Sequence, residues 1–364
     1  MRAALLAVLL LVPAVGEAAT LTGVDWGNQP LTPANGDTLS GTFTNVSSFT
    51  VGAGTTVFVA AGTSLVVYAA TVSIRGVIDG VGRGQAGGNG GPEVGVGLSG
   101  FGDGPGLGAG AGNAGGGGSH GARGGAGAGA LGGSTSAAYG AATTLTVPLS
   151  ADDAGQGSGG GGGGGGTAGK GGGTSGGNGG GAVYIEASSM TITGSILLTG
   201  ATAAVVAGES LDGTGDIPGA GGGGAGGGLV LRVTTALSLE GATLNAAAGS
   251  GGRISDPVFC RGASPGGGGG GGRVKLYYRT GTAFSVSIAT SGGSPGKSDC
   301  VTGFDLPTAS TGLPGTVAFG RVAAAASGFA ASSVYVSSVA WTWAASPDVG
   351  DGAGGVYRVF PATQ

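Results

Sequence analysis

The sequence predicts an all-β fold, a right-handed parallel β-helix or solenoid whose coils carry glycine-rich loops or packed glycine segments. Three observations carry that expectation. Apolar residues alternate in short β-branched runs, and no 3.6-residue period persists over three turns. A strand-plus-glycine unit recurs, with copies opening at Val183, Leu229 and Val274, a period of about 45 residues that marks a solenoid. Each of these copies is fed by a glycine tract: 155–181, 219–228 and 266–272.

The bulk composition supports a folded chain. Among 364 residues, 94 are Gly and 14 are Pro, a share that by itself suggests low complexity. No G-X-Y register persists, which excludes collagen. The 40% hydrophobic and 9% charged content is opposite to that of disordered chains. A net charge of −4 argues against nucleic-acid binding. The basic residues Arg253, Arg261, Arg273, Lys275, Arg279 and Lys297 cluster along the chain, and scattered solvated charges are their ordinary reading.

Residues 1–19 read as a signal peptide. Met1-Arg2 is the positive start, Ala3–Val15 the apolar run, and Gly16-Glu-Ala-Ala19 the cleavage region. The run is shorter than the ~20 residues a membrane span needs. No transmembrane span is expected in the mature chain, which should be exported or held at a cell surface. Cys260 and Cys300 fit an oxidising compartment. They flank the strand pair beginning at Val274, so a disulfide between stacked corner loops is expected. It would close a loop of about 40 residues, worth roughly 4 kcal/mol in a chain-entropy picture.

In chain order, residues 20–40 form a lead-in or cap carrying Trp26, Pro30 and Pro33. The glycine-rich solenoid follows over 41–320, and a C-terminal β cap over 321–364. The first runs are Thr42–Val46, Phe49–Val51, Thr56–Val59, Leu65–Tyr68, Val72–Ile74 and Val77-Ile78. Val72 and Ile74, like Met190 and Ile192, should face a core, with Ser73, Arg75, Thr191 and Thr193 facing out. Gly76, Gly194 and Gly241 end the units and are expected to supply positive-φ turns. For the tracts two readings stand open. They are flexible surface loops, or extended threefold helices packed closely enough for backbone groups to pair between segments. Gly84–Gly133 and Ala141–Pro148 read as excursions from the first repeat.

The unit A-x-x-I-x-I-x-G-x-I stands at Ala69–Ile78 and Ala187–Ile196, with Val72 and Met190 in place of the first Ile, and loosely at Val233–Leu244. With the joins at 179–187 and 269–278, it resembles secreted bacterial glycine-rich repeat proteins. That resemblance spans roughly residues 40–320. It implies a pectate-lyase-like right-handed β-helix and an extracellular or surface location, and it transfers no functional residues.

Motifs for chemistry are sparse. Gly164–Gly171 nearly writes a phosphate-binding loop, but Gly171 replaces the metal-binding hydroxyl. His120, the single histidine, lacks partners for a zinc-type site and is placed in an Ala/Gly loop. Asp152-Asp153 and Asp212/Asp216 read as loop carboxylates rather than calcium ligands. No catalytic residue, metal or cofactor is assigned. The aromatic face Tyr335, Val339, Trp341, Trp343 suits a cap over the solenoid end, and Tyr335, Trp341 and Trp343 are also the candidate sugar-stacking residues. Surface glycans or other matrix proteins are the expected partners. A non-enzymatic structural or adhesive role leads. The runner-up is a polysaccharide-active lyase or hydrolase, or a glycan-binding β-helix. Catalysis would require convergence among Asp79, Asp152, Asp153 and Glu186. Ice or flat-surface binding is disfavoured, because Thr-x-Thr does not align on consecutive coils.

Overall fold

The computed structural model describes residues 18–140, 154–207, 217–255, 264–282, 285–298 and 308–322, together with the backbone of 327–334 and 339–344. No helix occurs among them, and one parallel sheet of 11 strands curls through 296°. Its long-strand wall holds β5 (Ser64–Ile74), β7 (Ala182–Ile192), β10 (Gly228–Ser238), β13 (Arg273–Thr282) and β15 (Thr316–Arg321). Its short-strand wall holds β4 (Thr56–Val59), β6 (Val77–Asp79), β8 (Ser195–Leu197), β11 (Thr243–Asn245) and β14 (Ser287–Ala289). β3 (Thr38–Val51) joins the walls, pairing with β4 through Thr38 and Leu39 and with β5 from Gly41 onward. In the lead-in, β1 (Thr20–Thr22) and β2 (Asp25–Leu31) both pair with β3, and outside this sheet β9 (Val206–Ala207) pairs parallel with β12 (Ile254–Ser255).

The register follows the sequence repeat. Leu65, Val183, Leu229, Val274 and Val317 lie opposite one another across successive coils. Inward columns fill the space between the walls: Val72 and Ile74, Met190 and Ile192, and Ile78, Ile196 and Leu244 are all buried. Arg75, Thr191 and Thr193 are exposed and Ser73 half-buried, as strand alternation requires. Each such fully buried Val, Leu or Ile contributes roughly 1.5–3 kcal/mol of transfer free energy. At the first coil Trp26 packs edge-on against Phe43, ring centroids 5.8 Å apart. At the last described coil the columns run out into solvent, with Val317 and Phe319 41% and 58% exposed.

Two local expectations are corrected. The short runs fuse, because Asn45 and the Ala69-Ala70 pair do not break the ladder; a register shift between Phe43 and Val46 absorbs the irregularity. The third copy's extra residue is likewise a shift between Val233 and Ala236. Of the three unit-ending glycines, only Gly241 has a left-handed φ, at 72°. Gly76 and Gly194 are needed for space: a Cβ on Gly76 would lie 2.2 Å from the Thr55 carbonyl oxygen, and one on Gly194 2.0 Å from that of Gly76.

The glycine tracts are not loose loops. After β6, β8, β11 and β14 the chain runs outward and returns as extended segments that pack side by side. The segment 157–166 lies at the centre, enclosed by six others. It donates to 171–180 (Gly160 to Gly177, Gly163 to Thr174, both 2.9 Å), to 95–101 (Gly159 to Phe101, 3.0 Å; Gly162 to Leu98, 2.8 Å) and to 113–116 (Gly161 to Gly116, 2.8 Å; Gly164 to Asn113, 2.9 Å). It accepts from 85–94 (Gly88 to Gly160, 2.8 Å), from 106–112 (Ala109 to Gly162, 3.1 Å) and from 219–225 (Gly222 to Gly161, 2.8 Å). Each neighbour is met at every third residue, the repeat of a helix with three residues per turn. A Cβ added anywhere from Gly159 to Gly165 would sit 1.9–2.1 Å from a backbone oxygen. Only glycine permits this spacing, and the paired backbone groups offset its large ordering entropy.

Candidate functional site

The outward face of the long-strand wall divides into two zones. Val66, Tyr184, Val230 and Lys275 form one cross-coil row, in register and buried. Ala154, directly before the tract 155–181, joins Val66, Tyr184 and Val230 in a second small core. Two residues further along each strand, a second row stands beyond that cover: Tyr68, Glu186, Arg232 and Tyr277.

In this second row Glu186 is fixed from two sides. Arg232 donates to Oε1 and the Tyr184 hydroxyl donates to Oε2 at 2.8 Å. Burial, and then the Glu186 carboxylate, push the Tyr184 phenol well above its ordinary range, so it stays a donor. Tyr68 leans on Tyr184 with ring centroids 5.7 Å apart. Tyr277 lies over Gly320, where an added Cβ would strike its ring at 2.4 Å. A cleft of about 330 Å³ opens beside the row, lined by Asn28, Asn45, Tyr68, Ala70, Glu186 and Thr234 among others. Asn28 and Asn45 adopt left-handed φ of 58° and 56°, a conformation that Asn tolerates better than most residues.

A second polar cluster joins the bundle to the solenoid. Arg273, nearly buried, donates through Nη2 to the carbonyl oxygens of Tyr139 (2.6 Å) and Gly140 (2.8 Å), and through Nη1 to Thr316 Oγ1 (3.0 Å). Burial lowers its pKa. The Tyr139 hydroxyl donates to the Gln156 carbonyl and accepts from Ser158 Oγ at 3.2 Å. Burial pushes that phenol up to about 12. His120 is only 1% exposed, with Nδ1 2.9 Å from the Gly226 carbonyl oxygen. A carbonyl can only accept, so Nδ1 carries the ring proton. Burial, with Arg273 and Lys275 adding to it, lowers the imidazole to about 4. A cleft of about 800 Å³ lies at this junction, bordered by Gln85, Asp103, Tyr139 and Arg273 among others.

The expected residues fall as follows. His120 lies in a Gly/Ala segment outside the strands, as expected, and is buried at the junction. Lys170 closes the turn at 167–170, where its N–H donates to the Thr167 carbonyl oxygen at 2.9 Å, and 171–180 then folds back on 157–166. The would-be phosphate loop is thus a reversal in the bundle. Asp79 accepts from the Val81 N–H at 2.9 Å in a local turn on the short-strand wall, whereas Glu186 faces out from the long-strand wall. The structure does not bring these two together. Of the basic residues, Arg273 and Lys275 are buried, while Arg253, Arg279 and Lys297 are exposed. Residues 1–17, Ala141–Pro148, Asp152, Asp153, Asp212, Asp216, Cys260, Arg261, Cys300 and Tyr335 lie outside the described residues, as do the side chains of Trp341 and Trp343. Their strand, β17 (Val339–Ala344), pairs antiparallel with β16 (Ser327–Val334). Among the described residues no cluster of His, Cys, Asp and Glu could hold a metal ion. No helix of the described residues is long and apolar enough to cross a membrane.

The row Tyr68–Glu186–Arg232–Tyr277 escaped the reading of the sequence, although the repeat contains it. The offset that matches Val183 to Leu229 also matches Glu186 to Arg232, and aligning Ala69 with Ala187 sets Tyr68 beside Glu186. Comparison with family models, curated proteins and solved structures finds no match. The likeness to glycine-rich repeat proteins therefore rests on the repeat unit alone.

Proposed function

We propose that this chain is an exported, non-enzymatic structural or adhesive protein of a cell surface or extracellular matrix. The observation that carries the proposal is the glycine bundle. Segments that could have served as mobile active-site loops are instead locked to one another by backbone hydrogen bonds at every third residue. The result is a rigid two-part body, a solenoid with a dense lateral bundle. Export rests on the signal-like residues 1–19.

Two measurements test this. The purified mature protein should co-sediment with cell-envelope or matrix fractions. It should release neither reducing ends nor unsaturated products from a panel of neutral and acidic polysaccharides. Turnover of any of these would overturn the non-enzymatic role in favour of a polysaccharide-active protein.

A further inference from the structure

We propose that the outward row Tyr68–Glu186–Arg232–Tyr277, with the adjoining cleft, binds a neutral glycan chain lying along the solenoid axis. This deepens the adhesive role proposed above, and rests on it, by naming the class of partner.

The strands carrying the row are hydrogen-bonded neighbours, so its four side chains are spaced about 4.8 Å apart in a line. An aromatic ring stands at each end and a charged pair in the middle. Sugars present apolar C–H faces together with hydroxyls, and the row offers a partner for each. Tyr68 and Tyr277 are half-buried and supply flat apolar surface with a polar tip. Glu186 is held by Arg232 and Tyr184, and each carboxylate oxygen keeps a second lone pair for a sugar hydroxyl. The side-chain amides of Asn28 and Asn45 add donors and acceptors at the cleft.

Charge selects the glycan class. Glu186 and Arg232 neutralise one another, with side chains 22% and 29% exposed. An acidic sugar would face Glu186 with no unshared cation in the row, whereas an uncharged one loses nothing by approaching. Preorganisation favours binding as well, because the carboxylate is already positioned before a ligand arrives.

The test uses the full mature protein in affinity electrophoresis through gels containing β-glucan, xylan, mannan or polygalacturonate. At least one neutral polymer should retard it. Tyr68→Ala and Glu186→Gln should each weaken that retardation roughly ten-fold or more. Ala70→Arg, which fills the cleft from an exposed position without touching the core, should do the same with an unchanged unfolding midpoint. Lys297→Ala, exposed in the bundle, should change nothing. Retardation by polygalacturonate alone, by no polymer, or undiminished in Ala70→Arg would overturn the proposal. Envelope co-sedimentation of Ala70→Arg separates the two readings. If it persists at the parent level while glycan binding is absent, adhesion stands and uses another surface.

Discussion

Arg273 and Tyr139 are joined by two hydrogen bonds to a single atom: Nε at 3.2 Å and Nη2 at 2.6 Å both donate to the Tyr139 carbonyl oxygen. One guanidinium on a solenoid strand thereby holds the end of a bundle segment. Arg273→Ala should destabilise the protein by roughly 1.5–3 kcal/mol, since it removes charge-assisted bonds to the half-buried Tyr139. Arg273→Lys should recover less than half, because an ammonium lacks the planar fork. Urea unfolding of the three proteins checks both outcomes.

Gly162→Ala should disrupt the bundle. Its Cβ would lie 2.0 Å from the Asn89 carbonyl oxygen, and backbone on every side prevents relief. The cost should reach or exceed the ~3 kcal/mol upper range of overpacking. Gly241→Ala meets nothing within 4 Å and carries only the strain of φ 72°, about 1–2 kcal/mol. Thermal unfolding midpoints should therefore fall much further for the first variant than for the second.

Stability should depend on pH through His120. Its folded value, about 4, lies below its ordinary 6.5. Between these values the unfolded chain binds a proton that the folded chain does not. Stability is therefore full above pH 6.5, falls as pH drops towards 4, and has no further dependence on this group below that. The loss amounts to up to ~3 kcal/mol. His120→Gln should flatten this interval in urea titrations. As the protein's single histidine, it should also give one imidazole NMR signal titrating near pH 4.

Cys260 and Cys300 are expected to be joined. Ile254 and Ser298 form a parallel bridge, with the Ile254 N–H 2.9 Å from the Lys297 carbonyl oxygen. The two cysteine-bearing segments thus depart from adjacent points. Thiol titration of the unfolded, unreduced protein should find no free thiol. Reduction should lower stability by up to roughly 4 kcal/mol. Two titratable thiols would refute the bridge.

How legible this fold was in the sequence depends on what carried the information. The solenoid was readable because Val72, Ile74, Met190 and Ile192 mark inside from outside, and a one-residue slip would expose them all. The pairing of Gly159 with Phe101 and of Gly160 with Gly177 was not. Glycines carry no side-chain pattern, so the partner of a given tract is set by three-dimensional packing. For Gly76 and Gly194 the residue was recognised as necessary, but crowding, rather than positive φ, is what makes it so. The Glu186–Arg232 pair was readable in principle and required only that the repeat offset be applied to polar residues as well as apolar ones.

The threefold helical packing also governs how such a protein can change length. Adding one residue to the outgoing arm of an excursion would rotate everything beyond it by about 120° and aim each N–H at the wrong neighbour. Adding three residues to each arm returns every donor to its original direction and moves only the tip. Growth in triplets is therefore the change this architecture absorbs most easily. The long excursion between Asp79 and Ala182, set beside the shorter ones that follow, shows how far one coil's arms can extend while the strands beneath keep their register.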